Sequence, residues 1–164
     1  MPILPTATFL SVVIELGRKV GAEQVQLDIN RMQRHYELLG KLMHKARELG
    51  IRLLVGTDTG NNAFTPHGEL HAKELEIFVT HGGYSPMEAI VAATRDNAVA
   101  VGLDGQVGEI APGKLADVIV LDKDPIADIT VLQGGKHLTR VIKDGRLVDL
   151  DPRDEMLQFQ QAAE

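Results

Sequence analysis

The segment from Asp28 to Val55 limits the choice of fold more than any other part of the chain. Between about Asp28 and Leu49, Met32, Tyr36, Leu39, Met43 and Ala46 recur at the spacing of one helical face. Gly50 stands where a helix that ends in a left-handed residue places its glycine. Ile51 to Val55 follows at once, carrying Leu53-Leu54-Val55 and ended by Gly56, the pattern of a short buried strand. A helix delivered to a buried strand through a minimal turn is the rhythm of a parallel α/β sheet.

The flanking segments extend that rhythm. Ile3 to Thr6 reads as a short strand or the start of a loop, and Thr8 to Val20 as a helix with Phe9, Val12, Val13, Leu16 and Val20 on its apolar face. Gly17 and Gly21 weaken that helix or mark its end. After a polar loop, Asn61 to Pro66, a helix is predicted from Gly68 to His81 with Leu70, Leu75, Ile77 and Phe78 turned inward. Gly82-Gly83 ends it. Ser85 as N-cap, Pro86 at the first helical position and Glu88 at the third then form a capping box that opens a helix to about Val101.

Beyond Gly102 the character changes. Glycine and proline punctuate Gly105, Gly108, Pro112 and Gly113; Asp117 to Asp122 reads as a strand. Arg140 to Val148 reads as a hairpin, with Asp144-Gly145 as its type I′ turn. Pro152 to Glu164 is predicted to be a short helix. The predicted order is αβαα followed by a small β region.

The composition removes whole classes of function. A net charge of −6 without a basic run gives nucleic-acid binding no electrostatic support. The absence of cysteine rules out disulfides, thiolate nucleophiles and cysteine-ligated zinc. No signal peptide and no apolar stretch of membrane-spanning length are legible, which leaves the cytoplasm as the default location and no membrane partner. There is neither a Gly-x-Ser-x-Gly elbow nor a phosphate loop ending in Lys-Ser/Thr.

Asp58 is the residue with the sharpest alternatives. An acid between two threonines after a strand is common because such side chains bond nearby backbone groups. The carboxyl ends of strands in parallel α/β folds also carry their chemistry, and a carboxylate there can hold a divalent cation or move a proton. Of six histidines, His67 and His71 are spaced i, i+4, but lack the intervening glutamate of His-Glu-x-x-His. A site built from Asp58, His67 and His71 is one option. His35 and His44 fall on the long helix, His81 suits a helix C-terminus, and nothing distinguishes His137.

Several stretches, taken in order, resemble one family. They are Gly56-Thr57-Asp58-Thr59-Gly60, Pro66-His67-Gly68-Glu69-Leu70, Glu74 to Ile77, Gly83 to Ile90, Ala93-Thr94, Val107 to Asp122, and Val141 to Gly145. This succession is similar to the C-terminal part of the metal-dependent amidohydrolases, in the branch of imidazolonepropionase-like and prolidase-like enzymes. The likeness is continuous from about Leu53 to Val148, and Pro5-Thr6 resembles the end of the preceding barrel strand.

The resemblance implies an α/β fold: the last strands and helices of a (β/α)8 TIM barrel over residues 1–103, strands of a small β-sandwich over 104–150, and a tail over 151–164. It implies hydrolysis of C–N bonds, amide or peptide-like, with a divalent metal, zinc foremost, and Asp58 as both metal ligand and catalytic proton carrier. His67 and Thr59 are implied as substrate contacts at the barrel mouth, the substrate being a small amide or dipeptide-like molecule.

The family's other metal ligands include a His-x-His pair from the first strand, and this chain has none. A TIM barrel takes about 250 residues, far more than precede Val55 here. The expectation is therefore a C-terminal fragment that lacks most metal ligands. Alone it would be inactive, and it would need a missing N-terminal half or a homo-oligomeric partner. The competing expectation is a non-catalytic αβ module that binds a partner chain.

Overall fold

In the computed structural model, which describes residues 2–20, 23–60 and 70–149, the long helix ends as its sequence requires. Helix α2, Glu23–Glu48, follows helix α1, Ala7–Val20, and begins earlier than its apolar stripe indicates. Gly50 adopts φ +69, and the Ile51 N–H bonds back to the Ala46 carbonyl at 2.9 Å. That backward bond satisfies a carbonyl the helix would otherwise leave open. Gly17 lies inside α1, so it neither ends nor breaks that helix.

The buried strand is shorter than predicted. Only Leu53 makes a ladder contact, a parallel bridge to Ile3, through Ile3 N–H to Arg52 O at 3.0 Å and Leu54 N–H to Ile3 O at 2.9 Å. Pro5 limits it on this side, having no N–H with which to continue the ladder. On the opposite edge a side chain takes the backbone groups of Val55.

Helix α3, His71–Thr80, carries Leu75, Ile77 and Phe78 inward as expected. The predicted start of this helix at Gly68, like His67 and the tail helix, lies outside the described residues. The predicted single helix from Pro86 to Val101 instead has three parts: α4, Pro86–Val91, a π-helical turn, Ala92–Asp96, and α5, Asn97–Ala100. The capping box is present. The Ser85 hydroxyl accepts from Glu88 N–H, and the Glu88 carboxylate accepts from Ser85 N–H at 2.8 Å.

The core lies between these helices and the parallel pair. Phe78 is 0% exposed and packs in one cluster with Met43, Ala46, Leu53, Leu75, Ala89, Ala92 and Ile129. Met43 and Ala46 come from the α2 stripe that was legible in sequence. Truncation of such a buried aromatic typically costs about 3–5 kcal/mol, so this cluster fixes how α2, α3 and α4 meet.

The C-terminal region forms an antiparallel sheet in the order β1-β2-β3, from β1, Val118–Leu121, β2, Leu138–Lys143, and β3, Arg146–Val148. Asp144 and Gly145 both have positive φ, 49° and 73°, as a type I′ turn demands. The register slips between Val120 and Leu121, which pair with Arg140 and Leu138, so that Thr139 of β2 is the extra residue of a bulge. A 3-10 turn, Ile129–Leu132, ties the connection to α3. The described residues are thus an α/β arrangement with one small antiparallel sheet.

Candidate active site

The site is built where the segment around Leu53 leaves its neighbour. Gly56 allows close approach here: a Cβ on it would lie 2.7 Å from a methyl of Leu4. Thr57 is buried, and its hydroxyl lies 2.7 Å from that of Thr59. Asp58, between them, has φ +53 and is exposed. Asp is among the few side chains that tolerate this left-handed backbone, which turns Thr57 and Thr59 toward each other. The neighbouring segment ends in a similar way, with Thr6 at φ +51.

Two residues not singled out in the sequence hold these two segment ends. Asn97, the first residue after the π-helical turn, accepts from Val55 N–H at 3.1 Å and donates to Val55 O at 2.8 Å. Glu74 of α3 is 0% exposed and accepts from Ala7 N–H at 3.0 Å and from both Thr8 N–H and the Thr8 hydroxyl at 2.7 Å. It thereby caps α1 immediately after Thr6, placing a carboxylate at the positive end of that helix. Burial pushes the Glu74 carboxyl up, against the opposing pull of these three hydrogen bonds.

Both residues had a signal in the sequence. Leu70, Glu74 and Phe78 are spaced by four, so Glu74 falls on an otherwise apolar stripe. Ile90, Ala93 and Asn97 share a stripe in the same way. A polar residue on a core-facing stripe requires a partner, which is the informative exception.

His71 is exposed and borders a largely apolar cavity of about 490 Å³ together with Thr57, Leu75, Asn97, Ile119 and Leu132. Among the described residues, no group of three or more His, Cys, Asp or Glu side chains could hold a metal ion. His67 lies outside the described residues, and Thr59 is half-buried beside Thr57. His35 and His44 are exposed on α2. His137 has a partner that the sequence did not disclose: its Nδ1 lies 2.8 Å from Asp122 Oδ1. One carboxylate at a strand end is a single donor. It does not fit a divalent cation by itself, because such ions need several ligands.

The parallel pair, the exposed acid after Gly56 and the glycine-punctuated β region define a class. The sequence pattern of the amidohydrolase family matches residues 4–148, and the chain belongs to that family. It is 38% identical over 108 residues to the ochratoxinase of Aspergillus niger, an alignment covering 65% of this chain and 21% of that protein. It is 40% identical over 74 residues to the imidazolonepropionase of Rubrobacter xylanophilus, covering 45% of this chain and 18% of that protein. A candidate prolidase from Bifidobacterium longum has a solved structure that superposes with a TM-score of 0.72 at 29% identity. That superposition covers 98% of this chain and 39% of the other. The chain therefore spans about a fifth of the length of the curated relatives it matches. Among the described residues, no helix is long and apolar enough to cross a membrane.

Proposed function

We propose that this chain is the C-terminal part of a metal-dependent amidohydrolase that cleaves an amide or dipeptide-like C–N bond, with Asp58 as metal ligand and proton carrier. The observation that carries the reading is the exposed Asp58 carboxylate, held in a left-handed backbone at the end of a parallel segment. In this reading Asp58 accepts a proton from the attacking water and returns it to the departing amine nitrogen. Thr59 and His67 contact the substrate. A divalent cation, zinc foremost, would polarise the scissile carbonyl when bound.

Residues 1–103 then contribute the closing strands and helices of a (β/α)8 barrel, 104–150 contribute sandwich strands, and 151–164 form a tail. The other metal ligands come from residues outside this chain's described part, on an N-terminal half or a partner copy. Support for this lies in the small share of each relative that the chain spans and in the single donor at Asp58.

The same single donor favours a second reading, a non-catalytic αβ module that needs a partner chain. Elemental analysis separates the two. The chain is purified alone and together with the N-terminal half of a relative, and Asp58→Asn is compared with the unaltered sequence in each state. Metal retained by the complex and lost in Asp58→Asn supports the enzymatic reading. Metal retained equally in Asp58→Asn removes Asp58 as a ligand, and no metal in either complex leaves the binding module.

A further inference from the structure

We infer that Asn97 is a positioning residue that ends the sheet edge at Val55 by standing in for a neighbouring strand, so that Asp58 emerges beyond the last backbone pair. The backbone groups of successive residues in a strand point to alternate edges. Arg52 O and Leu54 N–H face Ile3. The groups of Leu53 and Val55 therefore face the opposite edge, where a further strand would lie.

On that edge both groups of Val55 are taken by one side chain, at 3.1 Å and 2.8 Å. A primary amide offers the same donor and acceptor as a peptide group, so Asn97 completes Val55 as a strand would. A strand laid along this edge can pair as far as Leu53 and no further. Gly56, Thr57 and Asp58 are left clear of the ladder, and the carboxylate stays exposed.

The helix is shaped for this contact. The π-helical turn at Ala92–Asp96 inserts an extra residue per turn immediately before Asn97, re-aiming the side chains that follow. Gly108 packs against that turn: a Cβ there would lie 2.8 Å from Ala98 Cβ and 3.1 Å from Arg95 Cα. Asn97 thus sets where the strand stops, three residues before the acid.

The role in positioning rests on the proposed function of Asp58, whereas the edge termination does not. The test is amide exchange by NMR on the full 164-residue chain, comparing the unaltered sequence with Asn97→Ala and Asn97→Asp. In Asn97→Ala, exchange at the Val55 amide should rise about fivefold to tenfold, the loss of one hydrogen bond. Phe78 amide exchange should stay unchanged, and the Thr57, Asp58 and Thr59 resonances should shift. Asn97→Asp keeps an acceptor for Val55 N–H and has no donor for Val55 O. It should preserve Val55 amide protection while shifting the Val55 carbonyl resonance, a split that a space-filling role would not produce.

Unchanged Val55 exchange in Asn97→Ala overturns the inference, as does a rise shared equally by Phe78. If Asn97→Ala does not fold, an unshifted Val55 carbonyl in Asn97→Asp overturns it. Failure of Asp58 as a ligand appears only in the metal analysis and leaves these exchange results standing.

Discussion

Glu74 receives both the backbone N–H and the hydroxyl of Thr8 at 2.7 Å, from 66 positions away in the chain. This fully buried carboxylate joins α3 to the first turn of α1. It ties the segment after Asp58 to the end of the neighbouring strand segment. Glu74→Ala should lower stability by about 2–3 kcal/mol, since Ala7 N–H, Thr8 N–H and the Thr8 hydroxyl lose their acceptor in the interior. Urea denaturation followed by circular dichroism measures this loss.

The same residue makes stability depend on pH. Burial holds the Glu74 carboxyl above its ordinary value, so the folded chain keeps this proton more tightly than the unfolded chain does. Its contribution is fully present below the unfolded pKa and is lost as pH rises through the raised folded value. Glu74→Gln resembles the protonated acid and cannot titrate. The stability of the unaltered chain relative to Glu74→Gln should therefore fall as pH rises from the ordinary carboxylate range through the raised folded value. A difference that stays flat or grows with pH contradicts this assignment.

Gly83 faces the ring of His44 on α2. It has φ +71, and a Cβ there would lie 2.3 Å from the ring's Cε1. Gly83→Ala should cost about 1–3 kcal/mol through backbone strain and overlap together. Adding His44→Ala should recover the overlap part only, so the two changes should couple by about 0.5 kcal/mol or more in a double-mutant cycle. Additive losses would show that the ring simply moves aside.

Ser85 and Glu88 cap α4, and Arg47 of α2 clamps the same turn. The guanidinium bonds to Gly83 O and the Glu88 carboxylate and lies 4.8 Å from the Tyr84 ring centroid. Ser85→Ala should cost about 1 kcal/mol by loss of the cap. Arg47→Lys keeps the charge and loses the planar stack and fork, so it should still destabilise the chain, by about 0.5–1 kcal/mol. Equal thermal midpoints for Arg47→Lys and the unaltered chain would mean that charge alone matters here.

Gly108 holds the β region against the π-helical turn. With φ +99 and Ala98, Arg95 and Thr94 around its missing Cβ, Gly108→Ala should destabilise by about 1–3 kcal/mol. Gly113, also at positive φ but with nothing within 4 Å, should lose only the conformational part, about 1 kcal/mol. The gap between the two in chemical denaturation measures the packing of this contact.

The sequence by itself determined the local structure. The α2 stripe, the stop at Gly50, the Ser85–Glu88 capping box, the Asp144-Gly145 turn and the family to which Asp58 belongs were all legible, because periodicity, caps and turns depend on residues a few positions apart. Tertiary structure decided what depends on distant partners. On the edge away from Ile3, Val55 is paired by the side chain of Asn97, 42 positions away, rather than by a neighbouring strand. Glu74 became a buried cap because Ala7 and Thr8 present unpaired donors to it. A π-helical turn replaced a plain helix between Pro86 and Val101, so Asn97 reaches Val55. A polar residue on an apolar stripe announces that a partner exists, but only folding names the partner.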